Sequence, residues 1–285
     1  MNSRFIINLT PGPSLLHRLN GKTKVALFFA MMVFTTMSFD ARLLALVLLV
    51  TVISLISLKP NYKIIGALFV FIFVMNLVNI LLYWLVKPDI GSQFTSDKST
   101  ILIQFSKQYF ISLETLWYLS IRQMKMISSF MISIVFILSI TPSEIASGFY
   151  GLGLPYKLCT VVSLAFRYIP QIANDYENIN ISLQARGMEL DKRRLSLFKR
   201  LKHTLYILIP LIISSFDRVG NVANALDLRA YGLLKKRTYY CEHPPTKMDH
   251  VFRLIALSVL LFSVGWIIAH LVWFDPIKMW FPFEV

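Results

Sequence analysis

Residues Ile64 to Val86 run for 23 positions without a charged side chain and finish with Tyr83 and Trp84 near one boundary. Lipid offers no water to backbone N–H and C=O groups, so a segment crossing it must be a helix or part of a closed barrel. The run is longer than a barrel strand and lacks strict alternation, which predicts a helix. A hydrocarbon core about 30 Å thick calls for roughly 20 helical residues. Val25 to Phe39 and Leu43 to Leu58 are slightly shorter runs separated by Asp40 and Arg42. They predict a tight hairpin whose flanking Lys24 and Lys59 reach the headgroups. Thr115 to Ile140 and Val251 to Val272 are the fourth and fifth spans, the latter ending near Trp273. Leu205 to Phe216 is apolar as well, but it covers 12 residues and contains Pro210, so it reads as a sixth span or as an interfacial helix.

Composition narrows the class further. Hydrophobic residues make up 56% of the chain and charged residues 15%, against about a quarter charged in soluble domains. The mean hydropathy is +0.61. A disordered chain, a coiled coil, a disulfide scaffold and an ordinary soluble enzyme are excluded. The expected fold is an all-α polytopic membrane protein. The two cysteines, Cys159 and Cys241, have no ligand-like spacing.

Charge then sets the predicted topology. With five spans and an inner N-terminus, the inner segments 1–24, 59–63 and 141–250 hold 21 Lys and Arg, and the outer segments 40–42, 87–114 and 273–285 hold 5. That imbalance follows the positive-inside rule. A sixth span at 205–216 would carry Lys235, Lys236 and Arg237 outside, so five spans are favoured and the C-terminus is placed outside. The organisation expected is a cytoplasmic segment (1–24), four spans within 25–140, a cytoplasmic or interfacial coupling region (141–250), a fifth span (251–272) and an external tail (273–285). The N-terminus lacks the short apolar core of a cleavable signal peptide. The net charge of +14 is mainly topological and gives no reason to expect a nucleic-acid partner.

The 141–250 region holds most of the functional information. Thr141-Pro142-Ser143-Glu144 reads as a helix start, and Gly151-Leu152-Gly153 as its end. Leu158, Val162, Ala165, Ile169, Ile172, Tyr176, Ile179 and Leu183 then keep one apolar face at alternating steps of 4 and 3. Pro170 lies within this helix, and Arg186 and Gly187 close it. A second stripe follows: Leu205, Ile209, Ile212, Phe216, Val219, Ala223 and Leu226, after which come Leu228, Arg229 and Ala230. Both ends read Leu-x-x-Arg followed by a small residue, 43 positions apart. A helix macrodipole favours Arg at a C-terminal end for purely structural reasons. The recurrence also suits two equivalent docking points for similar cytosolic partners, because a guanidinium bonds carboxylates in pairs and stays charged when desolvated. Ala185, Gly187 and Ala230 would allow close approach.

At this point the chain resembles the transmembrane (T) components of energy-coupling factor transporters, prokaryotic vitamin and metal-ion importers. Ser14-Leu15-Leu16-His17-Arg18-Leu19 with Lys22-Thr23-Lys24 is similar to that family's N-terminal segment, although Asn20-Gly21-Lys22 replaces Asp-Pro-Arg. The stretch from Arg122 to Thr141-Pro142 resembles its fourth span and exit. Ser163-Leu164-Ala165-Phe166-Arg167-Tyr168-Ile169-Pro170 resembles its Leu-Ala-Leu-Arg-Phe-Ile-Pro core. Gln184-Ala185-Arg186-Gly187 is similar to the first of two Ala-Arg-Gly signatures. The second is altered to Leu228-Arg229-Ala230-Tyr231-Gly232. The resemblance covers about Ser14 to Gly232.

It implies that two ATP-binding-cassette subunits bind through Ala185-Arg186-Gly187 and Leu228-Arg229-Ala230, and that a small membrane S component binds the substrate. It implies, too, a chain in the prokaryotic plasma membrane that is not itself an enzyme and binds no cofactor, ATP belonging to the partner subunits. The alternative is a self-sufficient channel or secondary carrier whose path is lined by Asn76, Asn79 and Arg122. Arg122 and Lys125 share one face of the fourth span. They either snorkel to the interface or make polar contacts inside the bundle with Asn76 or Asn79. Lys192, Arg193, Arg194, Lys199, Arg200 and Lys202 form a basic run suited to anionic lipid headgroups or to an acidic ATPase surface. Arg167 and Glu177 suit helix–helix pairing. His17, His203, His243, His250 and His270 make no i, i+4 metal pair, and no phosphate-binding loop or nucleophile elbow occurs.

Overall fold

A computed structural model describes residues 14–95, 101–104, 110–187, 197–234, 238, 244–273 and 282, with side chains described at all of these except 93, 95, 197–203 and 270–273. The described chain is helical apart from one small hairpin. In order come α1 (Leu15–Arg18), α2 (Gly21–Met37), α3 (Ala41–Leu58), α4 (Tyr62–Val86), α5 (Ser92–Thr95), β1 (Ile101–Gln104), β2 (Phe110–Ser112), α6 (Leu113–Ser139), α7 (Pro142–Gly151), α8 (Tyr156–Ala185), α9 (Leu197–Leu228) and α10 (Lys247–Trp273). The chain divides into two compact units, residues 1–152 with 241–285, and residues 153–240.

Local chemistry sets the helix ends. Asn20 and Asn61 cap α2 and α4 by accepting from the Lys22 and Lys63 amides, and Ser112 caps α6 through Thr115. These oxygens satisfy donors that have no partner inside the helix. Pro142 sits in the first turn of α7, where its missing N–H costs nothing, and the Glu144 carboxylate accepts from the Thr141 amide at 2.9 Å. The β1–β2 pair is antiparallel, with Ile103 opposite Ile111 and Gln104 opposite Phe110. The Trp84 indole donates to the Phe110 carbonyl at 3.2 Å and so ties the end of α4 to this hairpin.

In the first unit α2 packs on α6, α7 and α10, and α3 packs on α6. Phe34, Val47 and Ile132 form one buried cluster with Phe28, Met31 and Val259 around it; Leu44 and Ile121 form another with Trp117 and Tyr118. By contrast, α4 buries only Asn76. Its apolar faces need no protein cover if they meet lipid.

Among the described residues, five helices are long and apolar enough to cross a membrane: Ala41–Leu58, Tyr62–Val86, Leu113–Ser139, Thr204–Leu228 and Lys247–Ala269. The apolar run at Leu205–Phe216 therefore belongs to a much longer helix than the run itself. The 17 residues of α2 fall at the lower edge of spanning length. The chain is an all-α, multi-pass membrane protein.

Candidate functional site

The second unit is an antiparallel pair of long helices. The α8 and α9 axes pack together, and the Tyr156 ring at the start of α8 meets Tyr231, just beyond α9, edge-on at 5.7 Å between centroids. Midway, Arg218 donates to the Asp175 carboxylate at 2.5 Å and lies 6.0 Å from the Tyr168 ring centroid. The pairing charges are thus Asp175 and Arg218. Arg167 and Glu177, which the sequence offered for this role, are exposed. The packed line on α9 runs through Ile207, Leu211, Ser215, Arg218, Val222 and Leu226, and most of the predicted stripe, including Ile209, Phe216 and Val219, stays exposed within the chain. Pro170 and Pro210 lie inside α8 and α9, and both helices continue through them.

The two arginine ends are alike in backbone as well as in sequence. The Gly187 amide donates to the Gln184 carbonyl at 2.9 Å, and Gly187 adopts φ +81°. The Ala230 amide donates to Asp227 at 2.9 Å, the Tyr231 amide reaches back to Leu226 at 2.9 Å, and Ala230 adopts φ +54°. This is the pattern of a helix closed by a left-handed residue, normally glycine. Ala230 takes up that shape despite its Cβ, so the altered second signature keeps the geometry of the first. Arg186 and Arg229 are both exposed, as are Ala185 and Leu228, and neither guanidinium makes an ion pair among the described residues. Because the helices are antiparallel, the two tips lie at opposite ends of the pair. The 30 residues of α8 span about 45 Å at 1.5 Å per residue. Two separate contacts fit such a spacing better than one shared pocket.

The first unit contains a polar knot that no local sequence pattern announced. Lys24, at the start of α2, donates to the Glu144 carboxylate and to the His17 carbonyl, each at 2.9 Å. Asp249, in the first turn of α10 and 1% exposed, accepts from the Asn20 amide at 2.8 Å, the Thr23 hydroxyl at 3.0 Å and the Thr246 amide at 2.9 Å. Arg253 donates to the same Thr23 hydroxyl at 3.0 Å. The His17 Nε2 donates to the Leu138 carbonyl at 3.1 Å, leaving Nδ1 a buried acceptor without a partner among the described residues. Burial pushes this imidazole below its ordinary value of 6.5. A Cβ on Gly21 would stand 2.3 Å from the Glu144 carbonyl oxygen, so α2 and α7 cross in near backbone contact. The segment that resembles the family's N-terminal motif is therefore the junction of α2, α6, α7 and α10.

The intramembrane candidates separate. Lys125, Asn76 and Asn79 line one cavity of about 700 Å³ with Thr35, Thr36 and Ser129. The Lys125 ammonium donates to the Thr36 carbonyl at 2.7 Å and stands 3.5 Å from the Phe39 ring centroid. Arg122 lies apart from this cavity, its guanidinium carbon 3.6 Å over the Tyr83 ring and its Nη1 3.5 Å from the Tyr118 hydroxyl. Of the basic run, Lys192, Arg193 and Arg194 lie outside the described residues, and the side chains of Lys199, Arg200 and Lys202 lie outside the described set too. No group of His, Cys, Asp or Glu among the described residues is arranged to hold a metal ion.

Comparison with known proteins bears on what these features serve. A family profile described as CbiQ, cobalt transport protein, matches residues 12–240. The chain is 28% identical over 274 residues to the energy-coupling factor transporter transmembrane protein EcfT of Bacillus subtilis (strain 168), covering 92% of this chain and 98% of that one. It is 26% identical over 263 residues to the EcfT of Exiguobacterium sibiricum, covering 88% and 95% of the two chains. The EcfT of Bacillus selenitireducens is 26% identical over 256 residues, covering 84% and 88%.

Proposed function

The chain belongs to the CbiQ cobalt transport protein family and is an energy-coupling factor transmembrane (T) component; from that premise we propose that it is the scaffold coupling ATPase subunits to a substrate-binding membrane subunit. Two ATP-binding-cassette ATPases dock on Ala185-Arg186-Gly187 and Leu228-Arg229-Ala230. ATP stays on those partners, and this chain carries out no hydrolysis. The choice of vitamin or metal ion belongs to the small S component. The chain lies in a prokaryotic plasma membrane, N-terminus in the cytoplasm and C-terminus outside.

The observation that carries this reading is the pair of exposed arginines, each followed by a left-handed residue, at opposite ends of one helical pair. Each exposed guanidinium is available to a carboxylate on a partner. The Asp175–Arg218 pair and the packing of α8 on α9 join the two tips mechanically. Closure of the ATPases then moves the helices as stiff bodies between discrete arrangements, and their exposed apolar faces pass the motion to the S component.

Arg186→Ala and Arg229→Ala test it. Truncating one partner of a buried, hydrogen-bonded interfacial charge pair costs about 2–5 kcal/mol. Each variant is expected to lose ATPase subunits on affinity purification and to lose coupled uptake. Normal assembly and uptake in the double variant would overturn the assignment. Uptake into liposomes by the chain alone would instead support the self-sufficient carrier.

A further inference from the structure

The cavity between α2, α4 and α6 is rich in donors and poor in anions. Asn76 is 5% exposed, and neither it nor Asn79 makes a side-chain hydrogen bond among the described residues. The Lys125 ammonium has three N–H donors, of which one is used on the Thr36 carbonyl and another faces the Phe39 ring. The Thr35 and Thr36 hydroxyls donate to Met31 and Met32 in their own helix, so they have no proton to offer the cavity. No carboxylate lines the space, and neither Lys125 nor Arg122 has an ion-pair partner among the described residues.

Depth decides what kind of anion fits. Asn76 lies 10 residues before the end of α4 and Lys125 lies 12 residues after the start of α6. These are about 15 and 18 Å from the helix ends and about 10 Å deeper than Tyr83 and Tyr118 at 1.5 Å per residue, inside a core about 30 Å thick and level with the last turn of α2. A lipid phosphate belongs at the edge of that core. An ionised side chain at this depth is expensive unless it is paired, and only a protein helix brings a carboxylate so far in. α4, which forms one wall, is exposed along almost its whole length within the chain and leaves space for such a helix.

We propose that this cavity receives an Asp or Glu carboxylate carried on a transmembrane helix of another subunit, paired with Lys125 and hydrogen-bonded by the carboxamides of Asn76 and Asn79. The proposal rests on the reading above in one respect, that the chain works inside an assembly with a second membrane subunit. The cation fixes the partner's depth and register, and the apolar faces of α4 supply area without selectivity.

The complex is purified whole from its native membrane with p-benzoylphenylalanine placed at Met126, which lines the cavity and leaves every polar group in place. Illumination is expected to join it to a transmembrane segment of the small membrane subunit bearing Asp or Glu within about one helical turn of the adduct. Adducts to lipid alone, or to a segment without an acid, overturn the proposal. Lys125→Met is expected to cut retention of that subunit at least tenfold while the ATPases stay bound, and Lys125→Arg to restore most of it. Lys125→Glu, combined with Lys in place of the partner acid, is expected to recover retention; unchanged retention in Lys125→Met, or no recovery in the exchanged pair, overturns it. Wild-type complex that lacks ATPase chains counts against the scaffold reading and leaves the cross-link outcome to judge this one.

Discussion

Lys24→Met isolates the energetics of the junction under α2. The Lys24–Glu144 pair is 2.9 Å apart, with side chains 3% and 12% exposed. At an effective dielectric of about 20, the attraction at that distance is about 6 kcal/mol. Desolvation of the two ions takes back much of it, so the pair's net worth is small, but removing one partner leaves the other buried and unpaired. That asymmetry places the cost of Lys24→Met at about 3–5 kcal/mol. Glu144→Gln keeps the volume and the one oxygen that accepts from both the Thr141 amide and the Lys24 ammonium, but it leaves that ammonium buried without a counter-charge. Its cost falls in the same range. Lys24→Met/Glu144→Gln removes both charges and is expected to cost less than the sum of the singles by about 2–3 kcal/mol. The measurement is the unfolding free energy of the full chain in mixed micelles, titrated with SDS and followed by tryptophan fluorescence. Strictly additive singles, or single costs below about 1 kcal/mol, would refute the claim that the two ions compensate each other in a desolvated site.

Three further outcomes follow from the same geometry. Gly21→Ala drives a Cβ to 2.3 Å from the Glu144 carbonyl and is expected to destabilise by about 1–3 kcal/mol or more, whereas Gly220→Ala, with nothing within 4 Å, is expected to be neutral or stabilising in the same titration. Ala230→Gly relieves a left-handed alanine, which costs about 1–2 kcal/mol, against the greater chain entropy of glycine, about 0.5–1 kcal/mol. Hydrogen exchange at the Ala230 and Tyr231 amides is therefore expected to slow by roughly two- to fivefold; unchanged or faster exchange would argue against strain at this helix end. The His17 imidazole is held below 6.5 by burial, so below that pH the unfolded chain binds the additional proton. Its contribution is complete above about 6.5 and is lost as pH falls towards the lower folded value; His17→Gln is expected to flatten the stability profile there, and an unchanged profile would remove His17 as its source.

The helices were legible because their causes are local. Twenty-residue apolar runs, the Thr141-Pro142 start and the Gly187 stop each act through the neighbouring backbone. The recurrence of Arg186 and Arg229 could be read for the same reason, whereas the sequence left open whether Lys125 turns to the interface or towards Asn76 and Asn79, with which it lines one cavity. The β1–β2 hairpin was not anticipated; its strands have only four and three residues, too few to show alternation. The helix-pairing charges were also missed, because Asp175 and Arg218 look no different from Arg167 and Glu177 until the rotation of α8 against α9 is known.

What the sequence by itself determined is a helical membrane chain with two long rods ending in arginine. It determined that because hydropathy and periodicity state which faces are apolar. Tertiary structure decided what those faces meet. On α9, Ile209, Phe216 and Val219 stay exposed within the chain, and the helix packs on α8 along the line that carries Arg218 instead. Only the folded chain brings positions 24, 144 and 249 into one buried knot, since the attraction between such groups depends on distance in space and on the exclusion of water, neither of which is written in their order along the chain.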